Sequence, residues 1–314
     1  MTLRYLIGRI FGSLATLLVS SLLIFSMVRL IPGDPATALL GRAFDPEIAD
    51  LMRKRLGLDG NFFVQYLGWI RAAITGDLGY SFINGSKISE QIFERFLRTL
   101  HLMFGGLLVG LVIAIPLGTV SARRRDEKSG SLLMGLNGFL ISVPQFITGL
   151  LLVYVFAVIL KWLPAGGWID PSADFRRWLI SMVLPCATLG LALSAFTARV
   201  IRTSIVEESA SDYVVAARSW GLPETKILRW HVYRNAALPT LTTVGLEIGY
   251  LFGGSIVVEE IFGYPGIGQL TVDAISGRDY PMVQAAVLLF AVGFTIINLL
   301  VDLSLLFVDP SLRK

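Results

Sequence analysis

The sequence predicts an all-α polytopic membrane protein with six transmembrane helices and a small extracytoplasmic insertion between the first and second helices. Composition is the first reason: 54% of the 314 residues are hydrophobic, only 16% are charged, and the mean hydropathy is +0.69. The second reason is that apolar stretches recur at lengths near or above the roughly 20 residues that a spanning helix needs. Such a chain is too apolar for an ordinary soluble domain.

Six apolar runs define the predicted spans. They cover residues 10–28, 102–122, 129–160, 178–198, 235–258 and 281–301. Only the fifth is interrupted by a charge, at Glu247. The first run is long and has no small-residue cleavage site before Pro32, so we expect an uncleaved anchor rather than a signal peptide. The predicted organisation is a first helix at 1–31, an insertion at 32–98 and a core of five helices at 99–314.

Basic residues set the predicted orientation. With the N-terminus inside, the inner segments hold Arg4, Arg9, Arg123, Arg124, Arg125, Lys128, Arg199, Arg202, Arg218, Lys226, Arg229, Arg234, Arg313 and Lys314. The short outer loops hold only Lys161, Arg176, Arg177 and Arg278. Positive residues favour the cytoplasmic side, and loops longer than about 60 residues escape this rule. We therefore expect both termini in the cytoplasm. The net charge of +4 follows from this topology and gives no support to nucleic-acid binding.

The insertion at 32–98 is predicted to be folded. It contains Pro32-Gly33-Asp34-Pro35, a helical pattern at 46–56, a second at 62–74, and the turn-rich stretch from Gly76 to Ser81. In the second pattern, apolar and aromatic residues recur at helical spacing from Phe63 to Ile70. This face is expected to pack against the membrane domain, and a ligand-binding role is the alternative.

The third run carries a proline at its middle. Pro144 removes a backbone hydrogen bond, and in a membrane the freed carbonyl group needs a new partner. We expect the helix to bend there. A flexible pore-lining helix makes Pro144 and Gln145 candidates for a translocation pathway, and a simple packing kink is the alternative.

The fifth run combines a glycine stripe with an acidic residue. Gly245, Gly249 and Gly253 recur every four residues and predict a face on which another helix packs closely. Glu247 lies about 160° around the helix from the middle of that stripe. A charged side chain at this depth costs at least about 2–3 kcal/mol if it faces lipid. Glu247 is therefore a candidate for lining a translocation pathway, and a paired or protonated structural acid is the alternative.

The polar segment between the fourth and fifth runs reads as folded structure. Residues 203–235 contain a short helical pattern that ends near Gly221, which can adopt the left-handed conformation that stops a helix. Pro223 then lies at the start of a second helix. The motif reads Asp212-Tyr213-Val214-Val215-Ala216-Ala217-Arg218-Ser219-Trp220-Gly221, followed by Pro223-Glu224 and by Leu238-Pro239. The prediction is a helix-turn-helix on one membrane face.

This motif resembles the cytoplasmic coupling loop, or EAA loop, of the permease subunits of ATP-binding cassette (ABC) importers. The likeness consists of the small pair Ala216-Ala217, the glycine four positions later and the terminal Leu238-Pro239. The Asp-Tyr opening and the spacing are similar to the dipeptide, oligopeptide and nickel branch. Val215 stands where the family motif has Glu, so that acidic role is not carried over. The resemblance assigns a coupling loop at 203–238 with Asp212, Tyr213, Ala216, Ala217, Arg218, Gly221, Pro223 and Glu224.

The resemblance implies the fold of type I ABC importer permeases and a place in the bacterial inner membrane. It also implies a second homologous permease as heterodimer partner, two ATPase subunits that bind ATP and Mg, and an extracytoplasmic solute-binding protein. The implied substrates are short peptides, with glutathione, nickel complexes or another small solute as alternatives. The chain itself is expected to bind no cofactor and to carry no catalytic residue.

Some chemistry is missing from the sequence. The chain has no Gly-x4-Gly-Lys-Ser/Thr loop for nucleotide phosphates, so we expect another chain to handle ATP. Cys186 is the only cysteine, and His101 and His231 are predicted on opposite sides of the membrane, so no metal site is expected. A self-contained secondary transporter is the rival class, since it too has broken helices and a central acid. The ordered cytoplasmic segment argues against that rival.

Overall fold

The structure is a computed structural model that describes residues 3–30 and 61–308. Two predicted features of the insertion, the turn at Pro32–Pro35 and the helical pattern at 46–56, lie outside the described residues. The C-terminal residues from 309 also lie outside them. Within the described ranges the only β-type pairing is an isolated bridge between Tyr80 and Lys87, so the predicted all-α class is confirmed.

The helices account for nearly all of the described chain. In chain order they are α1 (Leu3–Leu30), α2 (Phe62–Ile74), α3 (Ile88–Arg123), α4 (Lys128–Ser142), α5 (Gln145–Leu152), α6 (Phe175–Ser209), α7 (Asp212–Ser219), α8 (Glu224–Ile227), α9 (Tyr233–Phe262), α10 (Ile267–Ser276) and α11 (Tyr280–Val308). Two π-helical stretches join this series, one after α5 at Val153–Ile159 and one between α8 and α9 at Leu228–Val232.

The membrane spans fall where the apolar runs predict them. Five helical stretches of the described residues are long and apolar enough to cross a membrane, and the pair α4 and α5 makes a sixth if it is counted as one span. Several helices are longer than their apolar runs. For example, α6 begins at Phe175, where the Asp174 side chain accepts a hydrogen bond from the Arg177 backbone N–H at 3.0 Å. Hydropathy marks only the part of a helix that suits lipid, whereas such a cap marks its true end.

The predicted bend at Pro144 is a complete break. Helix α4 ends at Ser142, Val143 and Pro144 have extended backbone, and α5 begins at Gln145 at an angle of 101° to α4. The Pro144 carbonyl accepts hydrogen bonds from the backbone N–H groups of Ile147 and Thr148 at 3.0 and 3.2 Å. The Pro144 carbonyl is thus the first hydrogen-bond acceptor of the new helix.

The chain divides into two compact units. The larger is built mainly on Thr99–Pro265, and the smaller contains the described parts of Ile7–Arg98 together with Gly266–Thr295.

Glycines bring α3 and α6 into close contact in the larger unit. A Cβ atom built on Gly190 would lie 2.8 Å from both the Gly106 carbonyl oxygen and the Gly110 nitrogen, and one on Gly118 would lie 2.7 Å from the Ala198 carbonyl oxygen. Real Cβ atoms do not approach backbone so closely, so only glycine fits. Such small-residue contacts are a common means of helix association in membranes.

The smaller unit has its own apolar core and a buried polar anchor. The core contains Ile88, Ile92, Ile267, Leu270, Ala274, Met282, Ala285 and Ala286. Beside it, the buried Asp279 carboxylate accepts hydrogen bonds from the Ser81 hydroxyl at 2.5 Å and from the Phe82 backbone N–H at 3.0 Å. These bonds hold the turn after α2 against the start of α11.

Candidate functional site

The predicted helix-turn-helix is present as α7, a turn and α8. Helix α7 ends at Ser219, and Gly221 has a φ of +75°, which confirms the predicted left-handed conformation. The Leu222 N–H donates to the Ala217 carbonyl at 3.3 Å, and the Gly221 N–H donates to the Arg218 carbonyl at 2.9 Å. These two bonds form a Schellman motif, which satisfies carbonyl groups that the end of the helix would leave free.

Pro223 starts the second helix of the segment. Its extended backbone immediately precedes α8, and its carbonyl accepts hydrogen bonds from the N–H groups of Lys226 and Ile227 at 2.9 and 3.1 Å. From Glu224 the helical backbone continues through the π-helical stretch into α9 and ends at Phe262. The second helix of the predicted pair is therefore the beginning of the fifth span.

One face of α7 is buried in an apolar core. Val214 is fully buried and Ala217 is 6% exposed, while Ala216 is half-buried. The core contains Ala114, Ala122, Ala198, Ile201, Ile205, Val214, Ala217, Ile227, Val232 and Ala236. These residues come from α3, α6, α7, α8 and the start of α9, so the short helix packs on the ends of three long ones.

The Arg218 side chain links the residues on the two sides of the turn. Its guanidinium donates two hydrogen bonds to the Glu224 carboxylate, at 2.8 and 3.1 Å, and a third to the Ser209 backbone carbonyl at 3.1 Å. The bonds with Glu224 raise the pKa of Arg218. Although exposed ion pairs contribute little on average, a bidentate arginine fixes geometry. Arg218 thus ties α7 to the end of α6 and to the beginning of α8.

A second polar group lies on the other side of the segment. The Tyr213 hydroxyl donates to the Glu208 carboxylate and accepts from the Asn235 side-chain amide at 2.9 Å, while that amide also donates to Glu208 at 3.1 Å. Partial burial and the bond with Glu208 raise the pKa of Tyr213. Glu208 and Asn235 were not predicted as site residues. The sequence feature that could have indicated them is their position as polar residues at the ends of two spans.

The opposite face of α7 is exposed and partly apolar. Trp220 is 82% exposed at the end of the helix and Val215 is 52% exposed, while Asp212 is also exposed. Val215 occupies the position where the EAA motif has an acid, so that position points outward here. A rigid segment with uncovered apolar side chains is suited to contact with another protein.

One pathway candidate, Glu247, lies on a face of α9 that a second candidate, Gln145, contacts. The Gln145 side chain at the start of α5 contacts Gly254, where a Cβ would lie 2.9 Å from the Gln145 Oε1 atom. Gly254 and Glu247 are seven residues apart, which places them about 20° apart around the helix and about 10 Å apart along it. Glu247 is half-buried, and Thr240 and Thr243 continue the same face. The break at Pro144 therefore lies beside a polar stripe.

The predicted glycine stripe is only partly in contact with other helices of the described residues. Gly245 is buried and faces Val301 of α11. Gly249 is half-buried, and Gly253 is exposed with nothing within 4 Å of a Cβ position in the described part of the chain. Beside Gly253, the apolar residues Leu246, Tyr250 and Val257 are 65%, 76% and 41% exposed. A packing role for the whole stripe stays a prediction.

Two buried polar groups within the larger unit were not predicted. Asn137 of α4 is fully buried and donates to the Ala195 carbonyl of α6 at 2.7 Å. Glu259, near the end of α9, is fully buried and accepts a hydrogen bond from the Thr99 hydroxyl at 2.6 Å. Both interactions join residues far apart in sequence, and no local pattern pairs them.

No group of three or more His, Cys, Asp or Glu side chains that could hold a metal ion occurs among the described residues. Cys186 is buried in α6. The polar groups described above are suited to holding helices together and to forming a hydrated path.

Two family comparisons cover the chain. Residues 114–314 match the family described as binding-protein-dependent transport system inner membrane component, and residues 2–103 match the N-terminal part of such membrane components. The glutathione transport system permease protein GsiC of Escherichia coli strain K12 is 39% identical over 311 residues, covering 99% of each chain. GsiC of Salmonella typhimurium strain LT2 is 40% identical over the same length and coverage.

A solved structure has a similar fold. The structure titled "Inward facing conformations of the MetNI methionine ABC transporter" aligns with a TM-score of 0.57, 18% identity and coverage of 70% of this chain and 96% of that one. At this identity the likeness concerns the fold, which agrees with the type I importer fold that the sequence analysis expects.

Proposed function

The chain belongs to the family of binding-protein-dependent transport system inner membrane components, and from this premise we propose that it forms half of the pore of an ATP-driven importer for short peptides, including glutathione. The coarser part of this statement, a multi-pass permease subunit of an ABC importer, follows from the family. The observation that carries the coupling role is the helix-turn-helix of α7 and α8. Its inner face packs in an apolar core, and its outer face exposes Val215 and Trp220.

The proposed coupling is mechanical. The outer face of α7 docks on an ATPase subunit, and closure of the ATPase pair on ATP and Mg moves the docked segment. Because Arg218 ties α7 to α6 and α8, and Tyr213 ties it to α6 and α9, a displacement of α7 is passed to the long helices. ATP supplies the differential free energy between the inward-open and outward-open states. In this scheme the chain itself has no catalytic residue and binds no nucleotide.

The proposed pathway runs along the polar face of α9. A peptide carries an ammonium group, carboxylates and amides, all of which lose hydration in a narrow pore. In this scheme Glu247 attracts the ammonium group, and Gln145 offers an amide as donor and acceptor.

The proposed assembly places this subunit beside a second homologous permease, with two ATPase subunits on the cytoplasmic side and a solute-binding protein outside. Both termini are in the cytoplasm in this arrangement, with the coupling segment on the same side. Support comes from the distribution of basic residues and from the exposed face of α7.

Glutathione is one of several candidate substrates of the proposed importer. The relatives named above are glutathione transport permeases, and glutathione is itself a tripeptide. A self-contained secondary transporter is not retained, because the family is named for dependence on a separate binding protein.

The test is ATP hydrolysis by the purified complex in lipid, with its binding protein, challenged in turn by dipeptides, longer peptides, glutathione and nickel complexes. Stimulation by glutathione or another short peptide supports the proposal. Stimulation by nickel complexes alone contradicts the substrate class but leaves the coupling role. Failure to copurify any ATPase contradicts the coupling role.

A further inference from the structure

Helix α2 of the smaller unit has two apolar faces, and the described residues cover only one of them. The covered face surrounds Phe25 of α1, whose ring centroid lies 5.3, 5.4 and 5.6 Å from those of Phe62, Tyr66 and Trp69. The Tyr66 and Ser21 hydroxyls share a hydrogen bond of 2.8 Å. These contacts fix α2 beside the C-terminal part of α1.

The contacts with α1 also fix the depth of α2. The apolar span of α1 is Ile7–Met27, which at 1.5 Å per residue is about 31 Å long and matches a hydrocarbon core of about 30 Å. Phe25 then lies about 3 Å, and Ser21 about 9 Å, inside the C-terminal end of that span. With Ile7–Met27 taken as the span, the contacts of Phe25 and the hydrogen bond of Tyr66 to Ser21 put the part of α2 from Phe62 to Trp69 at membrane depth.

The second face of α2 carries large apolar side chains that the described residues leave exposed. Phe63, Val64, Leu67 and Ile74 are 68%, 68%, 64% and 81% exposed. Arg71 is exposed on the same side of the helix. In water this surface would be unfavourable, because each such side chain gains about 1.5–3 kcal/mol from complete burial.

We propose that this face of α2 lies in lipid, at the boundary between acyl chains and headgroups of the leaflet at the C-terminal end of α1. Phe63, Val64 and Leu67 contact acyl chains, and Arg71 extends its charged end toward lipid phosphate. Lipid is the favoured occupant because α1 exposes Leu18, Leu23 and Met27 over the same depth range, at 61%, 59% and 65%. In this proposal α2 faces lipid, whereas an ordinary extracytoplasmic insertion would face water. It does not depend on the transported substrate.

The same placement of α2 also fixes the position of the turn that follows it. Helix α2 ends at Ile74, and Ser81 is held by Asp279 within the same unit. The turn is therefore held at both ends. The lipid-seated α2 holds its beginning, and the buried carboxylate holds its end.

Site-directed spin labelling tests the proposal. Cys186 is the only cysteine of this chain, so Cys186→Ala, in a complex whose partner subunits have also had their cysteines replaced, leaves single labels at Leu67→Cys and, independently, Phe63→Cys. Leu23→Cys is the lipid-facing reference, and Lys87→Cys, exposed before α3, is the aqueous reference. Collisions of each label with oxygen, which concentrates in lipid, and with a water-soluble nickel chelate are measured in lipid nanodiscs.

We expect Leu67 and Phe63 labels to resemble Leu23, with an oxygen-to-nickel collision ratio several-fold above that at Lys87. A ratio equal to that at Lys87 overturns the proposal in favour of a water-exposed face. Low collision rates with both reagents also overturn it, in favour of a protein partner that covers the face. Because the readout is local, loss of transport by the complex does not affect the conclusion.

Discussion

Replacement of Gly221 by valine tests the coupling segment most directly. A Cβ at this position would meet nothing within 4 Å among the described residues, so the first side-chain atom fits without a clash. What remains is the cost of a left-handed backbone at a φ of +75°, which is about 1–2 kcal/mol for an L-residue and greater for a β-branched one. This cost lowers the equilibrium constant for forming the observed turn roughly 5- to 30-fold.

The assay is a coupling ratio in proteoliposomes. ATP hydrolysis and substrate uptake by the whole complex are measured together, and the ratio of ATPase to permease after purification reports docking. We expect Gly221→Val to lower uptake per ATP, or the amount of bound ATPase, at least about fivefold. Membrane insertion of the permease is expected to stay normal.

Two further variants separate backbone strain from other causes. Asparagine tolerates the left-handed conformation better than other residues with a side chain, so Gly221→Asn is expected to retain most of the coupling. Gly135 is a helical glycine of α4 whose Cβ position is equally open, so Gly135→Val adds the same side chain without the strain. Normal transport by Gly221→Val, or equal damage by all three variants, would refute the reasoning.

Three other predictions address separate parts of the molecule. Tyr213→Phe removes the hydroxyl that bonds Glu208, a loss of about 1 kcal/mol, and is expected to lower uptake per ATP; an unchanged ratio would leave Tyr213 no part in coupling. Glu247→Gln is expected to change uptake or its dependence on pH, and a variant with both unchanged would remove Glu247 from the pathway. Ser81→Ala deprives the buried Asp279 of a hydrogen bond, which costs about 1–3 kcal/mol, so hydrogen exchange of the turn after α2 is expected to accelerate, and unaltered exchange would contradict an anchoring role.

The spans could be predicted from the sequence because the bilayer imposes its own length on each of them. All six apolar runs coincide with helices, or in one case with a broken pair of helices. Pro144 predicted a bend, but the residues around it do not reveal the angle of 101° between α4 and α5. That angle depends on what each half packs against.

The helix-turn-helix formed by α7 and α8 was predictable because its signals are local. Gly221 and Pro223 determine backbone conformation through their own chemistry, and the structure has the turn that they predict. Asn137 and Glu259 were not predictable in the same way, since their partners are 58 and 160 residues away. The glycines on α3 were also missed, because a glycine pattern does not reveal which faces of two helices meet.

The glycine contact between α3 and α6 restricts how the larger unit can change shape. Leu189 fills the space beside Gly106, so sliding one helix along the other would drive its side chain against backbone. We therefore expect α3 and α6 to move together as one body. Freedom to rearrange is left to the break between Ser142 and Gln145, where no helical hydrogen bonding bridges the halves. A larger residue at Gly106, Gly110 or Gly190 would therefore force α3 and α6 apart and remove this restriction.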